Sequence, residues 1–185
     1  MAAFFLRASR RTMMRMLFAI LALTSAAPAS AAVIDAGATG MEVKHTLHIA
    51  ASPQKVWEAL LQPAKWWSSA HTFSGAASNL TLEPKAGGCW CEALPGGGAV
   101  RHMDVGFIAP AKSLILHGGL GPFFDKAVTG AMTWSLSASG AETDVTLIYR
   151  VGGYIKDGFE KLAPPVDGVL AEQIAGLKRL AETKP

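Results

Sequence analysis

The chain of 185 residues is long enough for one ordinary domain and short for two, and with 50% apolar and only 17% charged residues it is not a disordered chain. A formal net charge of +3, from 17 Lys+Arg against 14 Asp+Glu, invites a polyanionic partner, but Arg7, Arg10, Arg11 and Arg15 supply the whole excess. From residue 32 onward 13 basic residues face 14 acidic ones, a net charge of −1, which leaves no electrostatic footprint for nucleic acid.

The four arginines precede the apolar run Met16 to Leu23 and a small-residue stretch ending in Ala29-Ser30-Ala31. This order predicts a secretory signal peptide over residues 1–31, cleaved after Ala31, and hence an exported protein, periplasmic or secreted. The apolar core is eight residues against the roughly twenty of a membrane-spanning helix, so no stable membrane span is expected after cleavage. Ser9 to Arg15 is similar to the twin-arginine pattern, with Met13 where an aromatic is usual, and both export routes stay open. A mature chain of 154 residues (185 less 31) buries about 70% of its unfolded surface and needs no disulfide staples.

Residues 32–41 are small and Gly/Ala-rich and predict a flexible leader to a domain over residues 42–183. Glu42 to Ala50 alternates, with Val43, His45, Leu47 and Ile49 on one face, and reads as a half-buried strand. Ser52-Pro53 opens a short helix with a capping residue and a proline at the first helical position; Val56, Trp57, Leu60 and Leu61 form its stripe and Pro63 ends it. Ala64 to Ser69 predicts a second helical turn anchored by Trp66 and Trp67, with one of the pair at a cavity mouth.

Six strands follow: Asn79 to Glu83, Gly88 to Leu94, Ala99 to Ile108, Ser113 to Gly118, Ala131 to Ala138 and Asp144 to Val151, separated by Gly- and Pro-rich turns. One longer connection, Gly119 to Gly130, carries Phe123 and Phe124 as a lid or an edge plug. Val166, Val169, Leu170, Gln173, Ile174, Leu177, Leu180 and Ala181 fall at helical spacing in the last segment. The expected fold is α+β: a curved seven-stranded antiparallel sheet with one face covered by a long C-terminal helix, and space for a ligand between them.

The element order, with Ser52-Pro53-x-x-Val56-Trp57, Trp66-Trp67, Gly87-Gly88-Cys89-Trp90-Cys91-Glu92 and Val166-Asp167-Gly168-Val169-Leu170 with Gln173, resembles the START-like helix-grip superfamily (SRPBCC) from about Met41 to Ala181. Within it the polyketide cyclase/dehydrase-like and heat-shock ATPase activator homologue branches are closest in character. The resemblance implies the helix-grip fold. Its members include lipid carriers, receptors and cyclases, so it leaves the activity open.

Strand parity predicts which residues line the interior. Met132, Trp134 and Leu136 share a face, as do Val145, Leu147, Tyr149 and Val151, and Met103, Val105 and Phe107, with His102, Asp104 and Gly106 outward. From these the expected ligand cavity is lined by Trp66, Trp90, Met103, Trp134, Tyr149 and Gln173. Gln173, inside the helical stripe, either binds ligand or ties the helix to a sheet carbonyl. Glu92 shares the parity of Trp90 and is the candidate catalytic carboxylate if buried, a solvated strand carboxylate if not. His45 reads as a satisfied core histidine; His102 and His117 have outward parity.

Cys89 and Cys91 are the only cysteines. In an extended strand their Cα atoms lie about 6.6 Å apart with parallel Cβ vectors, which predicts two buried thiols rather than a bridge. They lack zinc-site spacing, and no metal site or cofactor is expected. No nucleophile elbow, His-Glu-x-x-His, phosphate loop or dinucleotide fingerprint is present in the sequence. The expected activity is that of a monomer holding a small hydrophobic molecule. The alternatives are a cyclase or dehydratase using a cavity Glu or His, and a protein-binding module of the chaperone-activator type.

Overall fold

A computed structural model describes residues 30–183; the expected signal segment, apart from its last two residues, lies outside them. Strand β2 (Gly40–Ile49) keeps the alternation of its sequence, with Met41, Val43, His45 and Ile49 buried. Helix α1 (Pro53–Leu60) starts where Ser52 accepts a hydrogen bond from the Lys55 amide at 3.4 Å, and it buries Val56, Trp57, Ala59 and Leu60. Helix α2 (Pro63–Trp66) is a single turn. Short 3-10 turns at Ser69–His71 and Ala77–Asn79 lead to β3 (Leu80–Leu82), β4 (Cys89–Ala93), β5 (Ala99–Ala109), β6 (Ser113–His117), β7 (Ala127–Ser139) and β8 (Glu142–Tyr154). Helix α3 (Ala163–Glu182) closes the domain.

With β1 (Ser30–Ala36) at one edge, the sheet is antiparallel throughout, in the order β1-β2-β8-β7-β6-β5-β4-β3. It has eight strands, not the expected seven. The extra one is β1 (Ser30–Ala36), which pairs with β2 through Ala32↔Lys44 and Val33↔Val43 where a leader was expected. It is held by backbone pairing along the β2 edge, with Val33 and Ala36 partly buried against the core. The expected cleavage point after Ala31 falls inside this strand. Further 3-10 turns at Pro95–Gly97 and Gly121–Phe123 also raise the helical count above the three segments expected.

Helix α3 lays Val166, Leu170, Ile174, Leu177 and Ala181 onto the sheet, all buried as the stripe predicts. Truncating one buried leucine of such a stripe to alanine typically costs about 2–5 kcal/mol. Gly176 lets the helix back directly onto α2, since a Cβ there would stand 2.3 Å from the Trp66 carbonyl oxygen.

Two bulges in β5 override the parity read from sequence. Trp90 and Cys91 pair with Met103 and Arg101, skipping His102; Val105 and Phe107 pair with Leu116 and Ile115, skipping Gly106. Each extra residue inverts the facing of the strand beyond it. His102 and Met103 are therefore both buried, whereas Phe107, expected inside, is 50% exposed. Gly106 fits its bulge because a Cβ would stand 2.3 Å from the His117 ring.

The first bulge also bears on the cysteines. Cys89 and Cys91 are half-buried on the outer face and joined by a disulfide, with Cα atoms 5.4 Å apart. The expectation of two buried thiols is corrected. It assumed a fully extended strand, and β4 is contracted where β5 bulges opposite it, bringing the pair within bridging range.

Candidate functional site

Between the first half of α3 and the concave sheet lies a cavity of about 290 Å³. Helix α3 supplies Pro165, Val166, Val169 and Leu170; the connection after β6 supplies Leu120, Gly121 and Pro122. The segment after α2 contributes Trp67, His71, Thr72 and Phe73, and the sheet contributes His102 and Tyr149. The surface is overwhelmingly carbon, and its volume is near the lower end of the roughly 300–1,000 Å³ of small-molecule sites.

Of the residues expected to line it, Tyr149 is on the wall. Trp66, Trp90, Met103 and Trp134 are instead packed in the neighbouring core, 1–7% exposed. There Trp134, Trp66, Trp67 and Trp90 form a chain of edge-to-face contacts with ring centroids 5.7, 5.5 and 4.9 Å apart, an arrangement favoured by the ring quadrupole. Trp67, the last ring before Trp90, is the one that reaches the cavity. Gln173 is buried, and its Oε1 accepts the Ser68 amide at 2.8 Å, tying α3 to the segment after α2 rather than to a sheet carbonyl. Phe123 is buried against Tyr149 and Phe159, while Phe124 is 45% exposed and meets Phe73 with the rings tilted, centroids 5.4 Å apart, beside the cavity.

Tyr149 lies along the sheet because Gly130 leaves it room; a Cβ at Gly130 would stand 2.8 Å from the ring. Its hydroxyl accepts the Leu120 amide at 2.9 Å and donates to the Gly118 carbonyl at 3.3 Å, fixing the loop that forms one wall. Burial pushes the phenol up from its ordinary value, with only the Leu120 amide opposing, so Tyr149 is a neutral donor across the physiological range.

The polar group of the wall is His102, backed by Glu92, a pair that parity alone does not bring together. Glu92 is fully buried, and its Oε2 meets His102 Nε2 at 2.8 Å. The same carboxylate accepts the backbone amides of Phe73, at 3.2 Å, and Ser74. Burial alone would push this carboxyl up; hydrogen bonds from Ser74, Phe73 and His102 outweigh it and hold Glu92 below its ordinary value. An ionised carboxylate only accepts, so His102 Nε2 carries the ring hydrogen. His102 Nδ1 is buried with no protein partner, and the ring stands between Phe73 and Trp90 at centroid distances of 5.8 and 6.0 Å. Glu92 thus faces inward as its parity allowed. His102 was missed because the bulge that turns it inward leaves no mark in hydrophobic alternation.

The other histidines stand apart from the cavity wall or at its rim. His45 is buried with its Nε2 3.0 Å from Asp167 Oδ1, although neither atom makes an aligned hydrogen bond. His71 pairs with Glu172 at 3.0 Å at the rim, and His117 lies on the outer sheet face. Among the described residues there is no cluster of three or more His, Cys, Asp or Glu that could hold a metal, and no helix long and apolar enough to cross a membrane.

No family model and no curated protein matches the chain. Solved structures do. An uncharacterised protein from Rhizobium leguminosarum superposes with a TM-score of 0.56 at 17% identity, over 81% of this chain and 99% of its own. CalU16 from Micromonospora echinospora gives 0.53 at 16%, over 85% and 87%. DynU16, from the dynemicin biosynthetic locus, gives 0.54 at 18%, over 77% of this chain and 47% of its own. At these identities the likeness is one of fold: an antiparallel sheet gripping a C-terminal helix.

Proposed function

We propose that this chain is an exported START-like helix-grip protein that holds one small hydrophobic molecule between α3 and the sheet. The observation that carries the reading is the carbon-lined cavity of about 290 Å³ beneath α3. Burying an apolar ligand there gains about 25 cal/mol per Å² removed from water, with no buried charge on the wall left to be stripped of its partners. CalU16 and DynU16 share the fold, and the latter belongs to a biosynthetic locus, which favours small-molecule work in this architecture. Export is supported by the basic, apolar and small-residue order of residues 1–31 and by the Cys89–Cys91 disulfide, a bond that persists in oxidising compartments.

The test is titration of delipidated protein with an apolar fluorophore, alongside native mass spectrometry of the protein as purified. Saturable one-to-one binding is expected, abolished by Val169→Trp, which fills the cavity, with the melting temperature preserved. Binding untouched by that substitution overturns the reading.

A second reading, an enzyme of the cyclase or dehydratase type, is favoured by one observation: the wall includes His102, backed by the buried Glu92 at 2.8 Å, rather than carbon alone. A carboxylate that orients an imidazole is a recurrent arrangement for moving a proton.

A further inference from the structure

We propose that His102 is the proton acceptor of the cavity, and that the molecule bound there is a flat apolar compound carrying one weakly acidic hydroxyl, a phenol or an enol. The inference rests on the cavity reading and adds the ligand's chemistry to it.

Three features converge. First, the tautomer of His102 is fixed. Glu92 has its oxygens committed to two backbone amides and to His102, and as a carboxylate it requires the hydrogen on Nε2. In the neutral ring the lone pair is then on Nδ1, which is buried and unpartnered in a ring that forms part of the wall. A buried acceptor without a donor carries a desolvation cost that a ligand hydroxyl would relieve. Second, the wall around it presents the rings of Trp67, Phe73 and Tyr149, which suit the face or edge of a planar ligand. Third, the walls admit no charge cheaply. An ammonium or carboxylate would lose its hydration on entry, whereas a hydroxyl enters neutral.

The step balances within the pair. The ligand O–H bond breaks, its electron pair stays on the ligand oxygen, and the proton bonds to Nδ1. The resulting imidazolium faces the Glu92 carboxylate at hydrogen-bond distance. Glu92 is thus a positioning residue that fixes the tautomer and balances the charge, and neither oxidant nor metal is needed.

The experiment uses 4-nitrophenol and its methyl ether, 4-nitroanisole, which differ by the acidic hydrogen. Affinity and the visible phenolate absorbance are measured in wild type and in His102→Gln, which keeps a donor for Glu92 but no base. Expected for wild type is about tenfold tighter binding of the phenol than of the ether, with phenolate appearing at a lower pH than in free solution. In His102→Gln both differences vanish, the phenol and the ether binding alike. Equal binding of the two probes without phenolate, or a preference that survives the substitution, overturns the proposal and leaves the cavity reading standing. Binding of neither probe to wild type overturns both. Nitrogen-15 NMR of the wild-type imidazole provides a readout that does not depend on the variant folding. A hydrogen on Nε2 alone in the free protein, and on both nitrogens with nitrophenol bound, is expected. A free ring protonated only on Nδ1 refutes the assignment.

Discussion

His45 and His102 are both buried histidines facing a carboxylate, and they do different work. His45, on β2, meets Asp167 of α3 at 3.0 Å, but out of line, and away from the cavity wall; burial lowers its pKa against the pull of Asp167, so it is a neutral ring wedged between sheet and helix. His102, on the β5 bulge, is aligned on a carboxylate that two backbone amides already hold in its ionised form. What separates them is the remaining environment of the acid. A carboxylate with its own backbone donors makes its histidine an oriented acceptor; one without them makes it a packing contact.

The comparison breaks most sharply at the carboxylates. Glu92→Leu strands two amides and His102 Nε2 in the interior, and a loss of about 3–5 kcal/mol is expected in urea unfolding. Asp167→Asn, at a side chain 23% exposed and without an aligned bond, is expected to cost about 1 kcal/mol or less in the same measurement. Equal losses would show that the two pairs are equivalent. Between these extremes stands the disulfide beneath Glu92. Closing a three-residue loop contributes about 1.5 kcal/mol by chain entropy, so Cys89→Ser with Cys91→Ser should lower stability by about that amount, and the wild type should show no titratable thiol.

Acid titration of stability gives the finest distinction. Both groups have folded pKa values below their ordinary ones, so each contribution is complete above the ordinary value and is lost as pH falls through the folded one. The His45 loss therefore begins below pH 6.5 and the Glu92 loss below pH 4.5, two separate limbs. His48, raised by hydrogen bonds to Asp144 and Glu142, works in the opposite sense, favouring the fold below pH 6.5 and losing that contribution as pH rises through its folded value. Stability is best followed in His48→Gln, where His45→Leu should remove the first limb and leave the second.

Much of the fold was legible because period and punctuation are local. The alternation of Val43, His45 and Ile49, the Ser52-Pro53 start, and the stripe through Leu170, Ile174 and Leu177 each depend on a few neighbouring residues, and each appears where expected. Less of the site was legible. Tyr149 and Glu92 faced inward by parity. Trp66, Trp90 and Trp134 were inward too, but inwardness does not distinguish a packed core from a cavity wall; that depends on how α2 and α3 meet across Gly176.

The sequence by itself determined one antiparallel sheet, a gripping helix, an apolar interior and a positive excess carried by the first 31 residues, since all of these arise from residue type and spacing. Tertiary structure alone decided the eighth strand, the disulfide, the open end of the interior and the Glu92–His102 pair. Each depends on a neighbour distant in the chain: β2 for β1, the β5 bulge for the cysteines and His102, and α3 for the cavity. A bulge is an extra residue on one strand defined by its partner, so pairing, not periodicity, turned His102 inward.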